Sequence, residues 1–290
     1  MTSSALTNGQ KTIHTAACLI IGDEVLGGKT IDTNSAYFAK FCFSLGIQLK
    51  RIEVIADDEG EISEAVRRMS NNYDFVVTSG GIGPTHDDIT YESIAKAFGL
   101  NLQLHQEAFA RMKKLSRPHP MQPQFDWDTP SPMLTAKLRM VELPHDPAVP
   151  LAAQAVFVAD DMWVPIAVVN GNVYILPGVP RLFERLLDNL KPSLLPRLSN
   201  PEGTGIYRYL FSTPLPESEV APYLTELAGR VEARGVKVGS YPRWEKKRNT
   251  VTLVGTDKEF MDGLVAEVEH NVKGTKVSQE DELDVPEDGE

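Results

Sequence analysis

The stretch that most constrains the fold runs from Asp74 to Thr90. It opens on a short apolar run, Phe75 to Val77, of the kind that makes a buried strand. Ser79 and a loop holding Gly80, Gly81 and Gly83 follow, and glycine permits backbone angles that side chains forbid. Thr85, His86, Asp87, Asp88 and Thr90 then supply helix-starting side chains. Ile94, Ala95 and Phe98 recur at helical spacing until Gly99. Strand, glycine loop and helix start is how a doubly wound α/β sheet builds an anion site at the carboxyl ends of its strands. A tight turn is the simpler reading of the glycines alone; the paired acids behind them weigh against it.

Two phosphate-binding motifs are excluded. Gly81 to His86 has His where the dinucleotide fingerprint needs its third Gly. Gly22 to Thr30 has five residues, not four, between Gly22 and Gly28. It also carries Asp23 and Glu24, which repel phosphate unless a cation lies between.

The surrounding pattern extends the α/β reading. His14 to Ile21 and Ile52 to Ile55 read as strands. Asp32 to Ser35 reads as a helix cap before Tyr37, Phe38, Phe41 and Leu45. Asp58 and Glu61 resemble a capping box ahead of Ile62, Ala65, Val66 and Met69. Ala108 to Leu115 is expected to be helical, whereas five prolines between Arg117 and Pro132 exclude regular structure there. That segment is either a loop over the site or a plain linker. Val164–Val169 and Val173–Leu176 around Asn170-Gly171 give a hairpin signal, and Pro180 starts a helix through Leu190. After Gly203 the order becomes βαββα, ending with a helix over Phe260–Val272. The expected architecture is a three-layer αβα domain with a mainly parallel sheet at 13–200 and a smaller α+β domain at 205–277. Residues 1–12 are expected to be flexible and 278–290 a disordered acidic tail.

Charge and composition bound the partners. The net charge is −11, but seven acids and no base lie between Gln279 and Glu290, so the body carries only −4. Such a body, without a basic stripe, argues against nucleic acid. No apolar run is long enough to span a bilayer and no secretory signal is visible, so cytoplasm is the expected compartment. Cys18 and Cys42 sit in apolar segments and read as reduced core residues.

Asp23, Asp32, Asp57, Asp58, Asp87 and Asp88 all follow expected strands, whose loops gather on one edge of such a sheet. Each alone reads equally well as a cap or turn residue. Six on one rim, beside amide-rich loops, suit a divalent cation joined to a pyrophosphate. His86 reads as a surface residue.

At these residues the chain resembles a known family. Gly22-Asp23-Glu24, Asp32-Thr33-Asn34, Gly80 through Thr90 and Pro177-Gly178-Val179-Pro180 are similar to the molybdopterin-binding (MoaB/Mog-like) domain superfamily. The likeness is greatest to the branch of the N-terminal domain of eukaryotic FAD synthases and of competence/damage-inducible protein A, and Gly239-Ser240-Tyr241-Pro242 also resembles the FAD-synthase branch. The resemblance implies a homo-oligomer and a metal-dependent pyrophosphatase acting on FAD or ADP-ribose. The metal would be Mg, Mn or Co, with K+ assisting. It implies catalytic roles for Asp57, Asp87 and Asp88, with Asp87 and Asp88 holding metal. It implies ligand contacts from Gly22, Asp23, Asp32, Asn34, Ser79, Gly80, Gly81, Gly83, Thr85, Pro177, Gly178 and Val179. Relatives in cofactor assembly bind or adenylylate molybdopterin, and a pterin-binding protein or a nucleotide-binding protein without turnover are the alternatives. Those relatives carry Arg where this chain has Asp87, which favours the hydrolase branch. No room is seen after Val277 for an adenylyltransferase or amidase domain, so neither FAD synthesis nor nicotinamide-nucleotide deamidation is expected.

Overall fold

A computed structural model describes residues 11–116, 125–199, 205–243 and 248–278. The expected flexible N-terminus, except for its last two residues, and the acidic tail from Gln279 onward lie outside the described residues, as do residues 117–124 of the proline-rich segment. The chain divides into two compact units, 1–204 and 205–290.

The first unit is built on a six-stranded sheet. Its elements in chain order are β1 (Thr15–Ile21), α1 (Asp23–Leu26), α2 (Asn34–Ser44), β2 (Gln48–Ile55), α3 (Glu59–Asn72), β3 (Phe75–Ser79) and α4 (Thr90–Ala97). There follow β4 (Asn101–Leu104), α5 (Gln106–Leu115), α6 (Pro132–Arg139), β5 (Glu142–His145), α7 (Leu151–Gln154) and β6 (Ala155–Val156). β7 (Ile166–Val169), β8 (Val173–Leu176) and α8 (Pro180–Leu194) complete the unit. The sheet order is β2-β1-β3-β8-β7-β6. β2, β1, β3 and β8 are mutually parallel; β7 pairs antiparallel with β8, and β6 antiparallel with β7.

Residue alternation in the strands sorts the core into two faces. Ala16, Cys18 and Ile20 of β1 join Phe75 and Val77 of β3 against Phe38, Phe41, Phe183 and Leu187 of α2 and α8. Ala17, Leu19 and Ile21 face the other way, onto Ile62, Val66 and Met69 of α3 and Ile94 of α4. A strand apolar at every position is satisfied only when both faces are covered, which fixes the three layers. The β7–β8 turn places Asn170 and Gly171 at φ 52° and 71°, the two positive angles of a type I′ hairpin.

Some elements were not legible. β2 begins at Gln48, four residues before the expected strand, because it is an edge strand whose first half is mostly polar and exposed. β4 and β5 pair antiparallel as a separate ladder. Beside that ladder, Ala108, Met112 and Val141 form a small core. The expected irregular segment ends where Ser131 caps α6, which starts at Pro132.

The second unit contains β9 (Tyr207–Thr213), α9 (Glu217–Val231), β10 (Lys237–Tyr241), β11 (Asn249–Gly255), α10 (Lys258–Val272) and β12 (Thr275–Val277). The sheet order β10-β11-β9-β12, all antiparallel, is a split βαβ arrangement. β12 extends the expected βαββα pattern by one strand.

His105 caps α5 through Nδ1, which accepts the Ala108 amide at 3.2 Å and so must be unprotonated. Burial holds its pKa below the usual histidine value, against an opposing pull from Glu107 and with a smaller push from His145. A folded value below the unfolded one means the unfolded chain binds the proton more readily. The cap's contribution is therefore complete above the unfolded value and is lost as pH falls from there toward the folded one. Thermal melts of wild type against His105→Asn, which caps without titrating, should diverge across that window, the wild type losing about 1 kcal/mol more on acidification.

Candidate functional site

The carboxyl ends of β1, β2, β3 and β8 lie on one edge of the sheet, and the loops that leave them form the site. After β3 the chain turns at Gly80, with φ 113°, where a Cβ would lie 2.1 Å from the Ile21 carbonyl oxygen. Gly81 follows at φ 63°, where a Cβ would lie 2.3 Å from Thr90 Oγ1. Thr90 holds both carbonyls: its hydroxyl donates to Gly80 O and its amide to Gly81 O, each at 3.0 Å. The amides of Gly81 and Ile82 are not among the loop's internal donors. The loop after β8, Pro177 to Val179, packs on this one, since a Cβ on Gly178 would lie 3.3 Å from Gly80 Cα.

Asn34, at the start of α2, ties three segments together. Its Nδ2 donates to Ser79 Oγ and to Gly178 O, both at 2.9 Å. Beside it is a cleft of about 60 Å³ whose lining includes Glu24, Asp32, Asn34, Ser79, Gly178 and Pro180 and no lysine or arginine.

The rim aspartates separate into distinct roles. Asp58 accepts the Glu61 amide at 2.9 Å and caps α3, while Glu61 turns back to the Ala56 amide. Asp32 accepts the Ser35 amide at 3.0 Å. Asp88 does not cap α4, whose first residue is Thr90. Its Oδ1 accepts the Gly83 amide at 2.6 Å, and its Oδ2 accepts the Thr85 amide at 2.8 Å and the Thr85 hydroxyl at 2.5 Å. Asp88 is thus a clasp closing the Gly83–Thr85 loop, with both of its oxygens accepting hydrogen bonds from the protein. Asp87 is exposed, and hydrogen bonding, from Thr85 first, holds its pKa below the usual carboxylate value. His86 is on the surface, as expected.

Asp57 differs from the others. Its Oδ2 accepts the Asp23 amide at 3.0 Å, fixing the β2 loop to the β1 loop. Burial pushes its pKa up, and the charges of Asp23, Glu24 and Asp87 push the same way, against the Asp23 amide. Four carboxylates therefore converge around the glycine loop. Among the described residues no three His, Cys, Asp or Glu side chains form a ready metal site. The donor set suits a hard cation that takes one or two carboxylates and fills its remaining positions with water and ligand oxygens. Asp87, exposed beside that loop, is the group that would hold it. Glu24 and Thr90 are not among the ligand-contacting or catalytic residues expected from sequence. Glu24 follows Gly22-Asp23 in the resemblance motif, but nothing in the sequence shows its carboxylate folding back over Gly22, where a Cβ would come within 2.7 Å of it.

Residues 17–197 match the family described as probable molybdopterin binding domain, and residues 207–281 the one described as FAD synthase, middle domain. A probable FAD synthase of Caenorhabditis elegans is 34% identical over 279 residues, 90% of this chain and 50% of that protein. The chain thus spans about half the length of the curated FAD synthases it matches. A protein of Pyrococcus horikoshii is 30% identical over 260 residues, 88% of this chain and 94% of that one. Among solved structures, CinA of Thermoplasma acidophilum, whose function is given as unknown, is 33% identical with a TM-score of 0.51, covering 63% of this chain and 98% of that one.

Gly80→Ala should fail by folding, because its methyl has no space against the Ile21 carbonyl. Its melting temperature should fall well below that of Gly28→Ala, a glycine also at positive φ but with open space around it. Equal melting of the two variants would show that the close approach at Gly80 carries no weight.

Proposed function

The chain belongs to the molybdopterin-binding domain family, with a FAD synthase middle domain behind it, and on that footing we propose that it hydrolyses the pyrophosphate bond of FAD or an ADP-ribose-type dinucleotide. The observation that carries this reading is Asp57, a half-buried carboxylate whose acidity is weakened by burial and by three other acids beside an amide-rich loop. Such a group holds a proton more tightly than an ordinary carboxylate and is the better base for it. The cleft beside Asn34 offers no side-chain cation to a phosphate.

In this reading the Gly81 and Ile82 amides bind non-bridging phosphate oxygens, as amides at glycine loops do. Asp88 keeps that loop in shape. Asp57 orients the attacking water and takes its proton. The water oxygen bonds to one phosphorus, the bridging P–O bond breaks, and the proton passes to the products, FMN and AMP in the case of FAD. A divalent cation, when bound, supplies positive charge to the phosphates and favours ionisation of a water. Asp87, exposed on the rim, would hold it. The curated relatives named as FAD synthases support flavin nucleotides as first choice. Pterin binding is the second reading, supported by the family match over residues 17–197.

The deciding experiment is incubation of the full chain with FAD, ADP-ribose and coenzyme A, each with magnesium, manganese or cobalt. FMN and AMP from FAD support the proposal. No product in any combination, together with tight molybdopterin binding, replaces it with the second reading.

Asp57→Asn separates function from stability. A carboxyl whose folded pKa lies above the unfolded one stabilises the fold below the unfolded value and loses that contribution as pH rises through the folded value. At neutral pH the ionised Asp57 is a burden on the fold, and Asn still accepts the Asp23 amide. The variant should melt at or above the wild-type temperature while losing on the order of a hundredfold or more in turnover. Wild-type turnover would remove Asp57 from the mechanism.

A further inference from the structure

The Asn34 amide is only half used. A carbonyl oxygen accepts and never donates, so the bond to Gly178 O fixes the Asn34 nitrogen on that side. Ser79 Oγ takes the other hydrogen. Asn34 Oδ1 is left buried with no hydrogen-bond partner, on a residue only 5% exposed that borders the cleft. A buried acceptor without a donor costs about 1–3 kcal/mol, and two inter-loop bonds hold this one in place.

The cleft restricts what donor would meet it. Its polar lining is rich in acceptors, with the Asp32 and Glu24 carboxylates beside Asn34, and it has no basic side chain. A phosphate is repelled there, while a neutral group bearing O–H donors is welcome. At about 60 Å³, on a measure where one water needs roughly 10–15 Å³, there is space for roughly four to six such volumes. That is a sugar ring and not a fused aromatic system. Gly178, which lines the cleft, packs on Gly80 of the glycine loop, so a group seated here is next to any phosphate on that loop.

We propose that Asn34 Oδ1 accepts a hydrogen bond from a ribose hydroxyl of the nucleotide, with Asp32 as the neighbouring acceptor, so that this cleft selects ribonucleotides over deoxyribonucleotides. The inference rests on the dinucleotide reading given above and specifies which part of the ligand the cleft holds.

The test is calorimetric titration of the full chain with AMP, 2′-deoxy-AMP and 3′-deoxy-AMP, for wild type, Asn34→Ala and Asn34→Asp. Wild type should bind at least one deoxy analogue about tenfold more weakly than AMP. That penalty should vanish in Asn34→Ala and persist in Asn34→Asp, which keeps an oxygen at the position. A merely structural Asn34 would weaken AMP and its analogues equally, leaving the ratio intact in Asn34→Ala, and that result overturns the proposal. Equal affinities in wild type overturn it without recourse to any variant, should Asn34→Ala not fold. If wild type binds AMP but shows no discrimination, only this inference falls. If it binds no nucleotide, the dinucleotide reading falls and takes this inference with it.

Discussion

The site depends on an absence: no side chain fits at position 80. The backbone there lies so close to the end of β1 that a Cβ would sit 2.1 Å from the Ile21 oxygen. That approach lets the chain leaving β3 cross toward the β1 and β2 loops instead of rising away from the sheet. Thr90 then fixes both glycine carbonyls, and Gly178 packs on the same backbone from the other side. The fold supplies the edge, but the contact at Gly80 turns separate loops into one surface.

On that surface, charge is arranged against stability. Burial, and after it the charges of Asp23, Glu24 and Asp87, push Asp57 toward its protonated form. Elsewhere several described acids are paired with arginines, as Glu53 is with Arg68 and Glu267 with Arg230. A carboxylate held among other acids at the mouth of an amide-rich loop is a place where the fold gives up some stability for chemistry. Asp88 belongs to a different class: its charge is matched by loop amides and a hydroxyl, and it keeps the shape in which the other acids work.

Much of this was legible in the chain itself, for identifiable reasons. The β1 strand reads as buried on both sides because Ala16 through Ile21 are all apolar, and the two core faces divide them by parity. Asn170-Gly171 announces its hairpin because few other residue pairs accept two positive φ angles. What stayed hidden depended on partners distant in sequence. Half of β2 is polar because it borders solvent, and β12 is three residues that become a strand only beside β9. Asp88 follows the glycines as a cap would, yet turns backward to Gly83 and Thr85, a choice that local sequence does not encode. The aspartates after each strand could be placed on one edge; which of them cap, clasp or stand strained could not.

The bond between Asn34 and Gly178 spans 144 positions of sequence. It has a consequence in time. At roughly 5–20 residues per second, synthesis separates the two partners by about 7–29 seconds. Through the later part of that interval β1, β2 and β3 are made, but β8 and the loop behind it are not. A nascent chain therefore holds the acids and the glycine loop without the wall that completes the cleft. The same holds for any fragment ending before Gly178. The wall of the cleft is complete only once the last strand of the parallel set and the loop behind it are in place.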